Sequence, residues 1–129
     1  MANTDTVESL RRFIRELNDT WRAQRYEDLA SFFHNDVVLL PPGSEEPVES
    51  VEAIVESYRQ FGASATIHSF TIEQIRVYDF KTVALCQMGF DIDYEIESGR
   101  YREHGMEVYV VENSGHDPKI IWRTQVLLD

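Results

Sequence analysis

From residue 66 to its end, the chain consists almost entirely of strand-like segments separated by short turns. The segments, which are rich in Val, Ile, Tyr, Phe and Thr, are Thr66–Tyr78, Thr82–Ile96, Arg100–Glu112 and Lys119–Leu128. Turn-forming residues lie between them, at Asp79–Lys81, Ser98–Gly99 and Asn113–Pro118. Because neighbouring strands joined by short turns pair antiparallel, the sequence predicts an antiparallel meander.

The first part of the chain has helical spacing instead. Apolar residues recur at steps of three and four and predict a helix that begins near residue 5; they are Val7, Leu10, Ile14, Leu17 and Trp21. Tyr26, Leu29 and Phe33 continue the same spacing after a short connection. They predict a second helix of two or three turns, which His34 ends.

A short strand and a third helix complete the predicted elements. Val37–Leu40 is apolar and is followed by Pro41–Gly43, which indicates a strand closed by a turn. Ser50 is suited to cap a third helix, which we expect to end at Gly62. Helices followed by a run of strands are typical of an α+β fold. We therefore predict three N-terminal helices packed on a curved, mainly antiparallel sheet, with residues 1–129 forming a single domain.

The charge of the chain excludes some classes of partner. The chain has 12 Lys and Arg residues against 23 Asp and Glu residues, a formal net charge of -11, so a nucleic-acid backbone or an anionic membrane surface would be repelled. No segment has the length of an apolar membrane span, and the N-terminal segment lacks the pattern of a signal peptide. The lone Cys86 cannot form an internal disulfide, which fits a reducing compartment. We expect a cytoplasmic protein without a nucleic-acid or membrane partner.

The last two strands divide into two faces. With a turn at Asn113–Pro118, residues whose numbers sum to about 230 or 232 lie opposite each other. One face then carries Glu103, Gly105, Glu107, Tyr109, Ile121, Arg123, Gln125 and Leu127. The other carries His104, Met106, Val108, Val110, Ile120, Trp122, Thr124 and Val126. Since both faces hold large apolar side chains, we expect helices to cover one and a second copy of the chain to cover the other.

The order of these elements, together with three segments, resembles a known superfamily. The segments are RYEDLASFFHNDVVLLPPG, VESVEAIVESYRQF and MEVYVVENSGHDPKIIWRTQVLL. They are similar to the short helix with its small strand and proline-glycine turn, the third helix and the closing hairpin of the nuclear transport factor two-like superfamily, which includes ketosteroid isomerase and the SnoaL-like cyclases. The resemblance covers nearly the whole chain. It implies a cone-shaped fold that encloses a mostly apolar pocket between the helices and the curved sheet.

The resemblance also implies which face of the hairpin looks inward. Similarity of the last strand to that of ketosteroid isomerase places Arg123, Gln125 and Leu127 on the pocket side. By the alternation, Glu107 and Tyr109 then point inward as well, and Trp122 points outward. We therefore expect a homodimer formed through the outer face of the sheet, including Trp122.

The catalytic residues of ketosteroid isomerase do not carry over to this chain. The oxyanion tyrosine of that enzyme would fall at Leu17, and its general-base aspartate at Leu40. Neither leucine can exchange a proton, so the resemblance argues against ketosteroid isomerisation. The SnoaL-like cyclases, which tolerate wide variation in their pocket residues, are the nearer relatives.

The inferred inner face carries a candidate site for proton transfer. Glu107 and Arg123 lie roughly opposite each other, with Glu107 as the candidate acid/base and with Arg123 and Tyr109 stabilising charge. The same pair could instead be an ion pair that only neutralises two buried charges. The predicted ligand-binding residues are Trp21, Phe33, Leu40, Tyr58, Met88 and Gln125.

Binding of a small organic molecule is the function that these observations favour. The histidines and the cysteine lack the spacing of a metal site, and no glycine-rich phosphate or dinucleotide motif is present, so we expect no metal and no cofactor. We expect a small, largely apolar ligand of unknown identity. As an enzyme, the protein would catalyse cofactor-independent isomerisation, cyclisation or dehydration. A non-catalytic ligand-binding module and a dimeric assembly module are the alternatives.

Overall fold

The computed structural model describes residues 4–113 and 117–128. The helices are α1 (Thr4–Arg22), a 3-10 helix (Tyr26–Phe32) and α2 (Val51–Ser64). The strands are β1 (Phe33–Leu40), β2 (Thr66–Asp79), β3 (Val83–Ile96), β4 (Gly99–Glu112) and β5 (Lys119–Leu128). The predicted α+β fold, with helices packed on a mainly antiparallel sheet, is confirmed.

The sheet has the strand order β1-β5-β4-β3-β2. Strands β2 to β5 form the predicted antiparallel meander, and β1 pairs in parallel with β5 at one edge. The four predicted strands of the meander agree with the observed bounds to within one residue at each end, whereas β1 begins four residues before the predicted Val37. Of the predicted turn at Asn113–Pro118, residues 114–116 lie outside the described residues.

Helices α1 and α2 cover one face of the sheet, which we call the inner face. Helix α1 packs against β2 and β3, and α2 packs against β1 and the 3-10 helix. The predicted apolar stripe of α1 is the buried one: Leu10, Ile14 and Leu17 are at most 1% exposed. Since burial of each such side chain contributes about 1.5–3 kcal/mol, the stripe fixes α1 across the sheet.

The closing hairpin has one of the two predicted registers. Tyr109 pairs with Arg123 and Gly105 with Leu127, so the numbers of paired residues sum to 232. Beyond Val110 the register shifts at a bulge, and Val111 pairs with Ile120. Both residues are fully buried on the inner face. Our placement of Ile120 on the opposite face is therefore wrong, because one extra residue in a strand reverses the alternation beyond it.

The second helix differs in kind from the prediction. It is a 3-10 helix in which Tyr26, Leu29 and Phe32 recur at steps of three, which is the period of that helix. Phe33 does not belong to it but begins β1, where its side chain is buried. His34 accordingly lies in a strand and does not end a helix.

Helix α2 begins as predicted and ends later. Ser50 caps it, accepting a hydrogen bond from the Ala53 backbone N–H to its Oγ at 3.0 Å. Gly62 does not end the helix, which continues to Ser64. A Cβ atom at position 62 would overlap the Oη atom of Tyr26. The glycine is therefore present because α2 and the 3-10 helix approach closely, not because the backbone turns there.

In the part of the chain that the structure describes, none of the helices combines the length and the apolarity that crossing a membrane requires.

The close approach at Gly62 can be tested by replacing it with Ala and Tyr26 with Phe. Gly62→Ala alone should lower the free energy of unfolding by about 1–3 kcal/mol, because overpacking outweighs the better helix propensity of Ala. In Gly62→Ala/Tyr26→Phe the overlapping oxygen is gone and part of this loss should be recovered, although Cζ of the ring would still lie 3.0 Å from the new Cβ atom. Urea denaturation of the two single variants and the double variant measures the coupling; equal losses in both backgrounds would contradict the explanation.

Candidate functional site

A cavity of about 270 Å³ lies between the helices and the inner face of the sheet. Aromatic side chains from α1, α2, β2 and β3 form most of its wall: Trp21, Tyr58, Phe61, Phe70 and Phe90. Pro42 and Ile92 complete the apolar part. The polar lining residues are Ser57, Glu103, Glu107, Arg123 and Gln125. A mostly apolar cavity with a few convergent polar groups is typical of a small-molecule site.

Trp21 is held in its position by a buried polar side chain. Its Nε1 donates to Asn18 Oδ1 at 2.9 Å, and Asn18 Nδ2 donates to the Ile14 carbonyl oxygen at 2.9 Å. Asn18 Nδ2 also lies 3.3 Å from the sulfur of Met88. The indole packs edge-on against Phe70, with ring centroids 5.4 Å apart. Asn18 therefore acts as a positioning residue for the aromatic wall.

A buried ion pair forms the floor of the cavity. Arg123 Nη2 donates to Glu107 Oε1 at 2.7 Å, and the Tyr109 hydroxyl donates to Glu107 Oε2. Glu107 is 8% exposed, Arg123 is 9% exposed and Tyr109 is fully buried. Since each carboxylate oxygen has its own donor, the carboxylate of Glu107 is held in one orientation.

The electrostatics of the floor follow from burial and from this pair. Burial is the largest single effect on the pKa of Arg123 and would lower it, but the charge of Glu107, the two tyrosines and the hydrogen bond to Glu107 together raise it. Burial, followed by the charge of Glu107, raises the pKa of Tyr109 well above its usual value. Burial also raises the pKa of Tyr58 to about 12, although Arg123 partly offsets it. At neutral pH, Arg123 is therefore a cation, and the two tyrosines are neutral.

Arg123 retains hydrogen-bonding capacity beyond the ion pair. A guanidinium has five N–H donors, and among the described residues the Nε of Arg123 is a buried donor without a partner. The Cζ atom of Arg123 lies 5.2 Å from the centroid of the Tyr58 ring, within range of a cation–π contact. The guanidinium is thus fixed by Glu107 and Tyr58, and the protein does not use all of its donors.

Glu103 adds a second carboxylate to the cavity wall. It lies on the same strand and face as Glu107, four positions earlier, at a separation of about 13 Å along the strand. Its charge contributes, after burial, to raising the pKa of Tyr94. Gly105 lies between the two carboxylates, and a Cβ atom there would come within 2.9 Å of the Phe90 ring. The missing side chain therefore leaves room for Phe90 to form this part of the wall.

The structure brings together five of the predicted site residues along the cavity. Trp21, Tyr58, Glu107, Arg123 and Gln125 are lining residues.

Four predicted site residues lie elsewhere. Tyr109 is beneath the floor, where it contacts the lining residues Glu107 and Arg123 but does not itself line the cavity. Phe33 is buried behind Tyr58, with ring centroids 6.4 Å apart, and Met88 is fully buried beside Asn18. Leu40 pairs with Thr124 on the face opposite to the cavity. These side chains fill the core or cover the sheet. Sequence spacing does not distinguish a side chain that fills the core from one that lines a cavity, so the sequence could not separate the two groups.

Glu103 and Phe70 line the cavity without having been predicted as site residues. A signal existed for Glu103, since it shares the inward alternation of Glu107. Phe70 lies in β2, whose burial pattern is less regular than that of β3. Two register shifts in the pairing of β2 with β3 account for this irregularity.

Within residues 4–113 and 117–128, no group of three or more His, Cys, Asp and Glu side chains is placed to hold a metal ion. The cavity lining itself offers donors on Arg123 and Gln125, carboxylates on Glu103 and Glu107, and aromatic rings.

Comparison with known proteins identifies the family. The sequence profile of the SnoaL-like domain matches residues 14–120. The chain belongs to the SnoaL-like domain family. No curated protein matches this SnoaL-like domain by sequence.

Several solved structures share the fold of this SnoaL-like domain. An NTF2-like protein from Cytophaga hutchinsonii has a TM-score of 0.79 at 13% identity, covering 98% of this chain and 100% of the other. A ketosteroid isomerase-like protein from Erwinia carotovora atroseptica has a TM-score of 0.79 at 9% identity, covering 98% of this chain and 99% of the other. The beta subunit of the benzoate 1,2-dioxygenase from Burkholderia mallei has a TM-score of 0.75 at 13% identity, covering 99% of this chain and 93% of the other. At these identities the similarity shows the fold alone.

The coupling between Glu107 and Arg123 can be measured with a double-mutant cycle. Glu107→Gln and Arg123→Met should each lower the free energy of unfolding by about 3–5 kcal/mol, since each leaves a buried charge without its partner. The double variant should lose clearly less than the sum of the two, because no buried charge remains unpaired. Denaturant unfolding at neutral pH gives all the values. Additive losses would show that the ion pair does not hold the floor together.

Proposed function

We propose that this SnoaL-like domain binds a small, largely apolar organic molecule in the cavity. The observation that carries the proposal is the combination of five aromatic wall residues with a buried, oriented Glu107–Arg123 pair whose guanidinium has unused donors. Aromatic walls favour a flat, apolar body, and the donors favour a polar atom at one end of it.

The volume of the cavity limits the size of this ligand. A cavity of about 150 Å³ accepts benzene, so about 270 Å³ corresponds to roughly eleven non-hydrogen atoms. A tetracyclic steroid is about twice that size. We infer a ligand with one ring, or with two small fused rings. This agrees with the expectation, based on Leu17 and Leu40, that ketosteroid isomerisation is not the reaction.

Proton transfer is the chemistry that the floor can add to binding. Glu107 is the candidate base: its oriented carboxylate can accept a proton from a carbon next to a ligand carbonyl. Arg123 would then stabilise the negative charge that develops on the carbonyl oxygen. Tyr109 acts through Glu107 and is a positioning residue. Binding requires only the geometry described above, whereas catalysis also requires a ligand with an acidic C–H, so binding is the primary proposal.

We further infer that a second copy of the chain covers the outer face, defined by Met106, Val108 and Val110 of β4 with Trp122, Thr124 and Val126 of β5. The paired residues are Val110 with Trp122 and Met106 with Val126, and Val126 is 44% exposed. None of the six side chains carries a charge, so two acidic chains can meet there without opposing like charges. The charged part of the same face lies further along β3 and β4, where Arg102 pairs with Asp91 at 3.0 Å.

The cytoplasmic location, which rests on the lone Cys86 and on the N-terminal composition, remains a prediction of the sequence.

Binding in the cavity is tested by blocking it from helix α2. Ser57 is an exposed residue that lines the cavity, and Ser64 is exposed on the same helix away from it. A screen of uncharged aromatic compounds of one or two rings, followed by calorimetry, should find ligands that raise the melting temperature. Ser57→Trp should weaken their binding at least about tenfold because the indole would occupy part of the cavity. Ser64→Trp should not change it.

Equal binding by Ser57→Trp and the wild type would place the ligand outside the cavity and overturn the proposal. A ligand with an acidic C–H would also test catalysis in the same assay series. In that case Glu107→Gln should reduce proton exchange with solvent at least about 100-fold, and unchanged exchange would exclude Glu107 as the base.

The dimer is tested by placing a charge on the outer face. Trp122→Glu should shift the protein from dimer to monomer in sedimentation equilibrium, because a carboxylate would be buried in the interface. Phe80→Glu is the matched control, since Phe80 is 64% exposed in the turn between β2 and β3. A wild-type monomer, or a dimer that tolerates Trp122→Glu, would contradict this interface.

A further inference from the structure

The cation at the floor of the cavity is already neutralised by the protein. Arg123 and Glu107 form a buried one-to-one pair with a separation of 2.7 Å between Nη2 and Oε1. A ligand that approaches Arg123 therefore meets a guanidinium whose charge has a partner but whose hydrogen-bond donors are not all used. Such a group attracts a neutral acceptor oxygen and offers little net charge to an anion.

The remaining charge on the cavity wall is negative. Glu103 lines the cavity, and within the described residues no Lys, Arg or His forms an ion pair with it. The three charged lining residues thus comprise two carboxylates and one guanidinium. Because the wall between them is aromatic, with Phe70 and Phe90 stacked at 6.2 Å, charges here are poorly screened by water. The chain as a whole adds to this repulsion with its net charge of -11.

From these charges we infer that the cavity selects uncharged ligands that carry a hydrogen-bond acceptor oxygen and rejects carboxylates of the same shape. Glu107 and Glu103 are the residues that determine this selectivity, Glu107 by cancelling the charge of Arg123 and Glu103 by repelling a second anion. The inference rests on the proposed ligand-binding function and names the class of ligand for it.

Three compounds of one shape separate the effects of charge and of hydrogen bonding. Phenylacetamide, phenylacetate and phenylacetamidinium have the same number of non-hydrogen atoms and fit the size inferred for the ligand. They are neutral, anionic and cationic, and only the first combines an acceptor oxygen with no net charge. Calorimetry on the wild-type protein should give phenylacetamide an affinity at least about tenfold higher than that of phenylacetate, since the negative wall repels the anion. Phenylacetamidinium, which the same wall attracts, shows that the loss of affinity depends on the sign of the charge and not on its presence.

Glu107→Gln should reverse the preference between the neutral and the anionic compound. The amide keeps the shape of the side chain and can still accept a hydrogen bond from Arg123, but it leaves the guanidinium charge uncompensated. Phenylacetate should then bind at least about tenfold tighter than phenylacetamide, and it should raise the melting temperature of this variant more than that of the wild type.

Glu103→Gln keeps the inference testable if Glu107→Gln does not fold. Glu103 is only half-buried, so its replacement leaves the buried pair intact. In this variant the ratio of the affinity for phenylacetate to the affinity for phenylacetamide should rise about tenfold. Glu16→Gln, which removes an exposed carboxylate of α1 outside the cavity lining, is the matched control and should change neither affinity.

The outcomes distinguish failure of this inference from failure of the proposed function. Wild-type protein that binds phenylacetate as tightly as phenylacetamide, with binding blocked by Ser57→Trp, would overturn the selectivity and leave ligand binding in place. An unchanged preference in both Glu107→Gln and Glu103→Gln would equally overturn it. Absence of binding of all three compounds to the wild type and to the variants would overturn the proposed function, and this inference with it.

Discussion

The buried pair of Glu107 and Arg123 is the interaction on which the cavity depends. It joins β4 to β5 on the inner face, where Tyr109 fixes the carboxylate from below and Tyr58 contacts the guanidinium from α2. Removing one partner from such a pair strands the other charge in a dry environment, which costs more than the pair itself contributes. The helix, both strands and the floor of the cavity are therefore tied together at one point.

A bulge and a missing side chain shape the sheet around this point. The bulge after Val110 returns Ile120 to the inner face, so that the core beyond the cavity is filled by Val111 and Ile120 together. Gly105 leaves room for the Phe90 ring between the positions of Glu103 and Glu107. The bulge adds Ile120 to the buried core, and Gly105 makes room for an aromatic ring in the cavity wall. Both are local departures from regular pairing that place side chains where alternation alone would not.

The difference between filling and lining explains which site residues could be predicted. Met88 and Trp21 are both large, apolar and buried, and Asn18 contacts both of them. Only Trp21 lines the cavity. Their hydrophobicity is similar, and which of the two lines the cavity depends on how α1 packs across the sheet. Leu40 was predicted to bind the ligand, but the parallel pairing of β1 with β5 places it beside Thr124 on the face opposite to the cavity.

By itself, the sequence determined the order of elements, the antiparallel meander and the shared face of Glu107 and Arg123. Periods of two and of three to four residues are local properties that every strand and helix obeys. Only the tertiary structure decided that Phe70 lines the cavity and that Tyr109 lies beneath its floor. It also decided that Gly62 is a contact point and not a helix end. These outcomes depend on how closely separate elements approach, and that distance is set by packing between side chains remote in the chain.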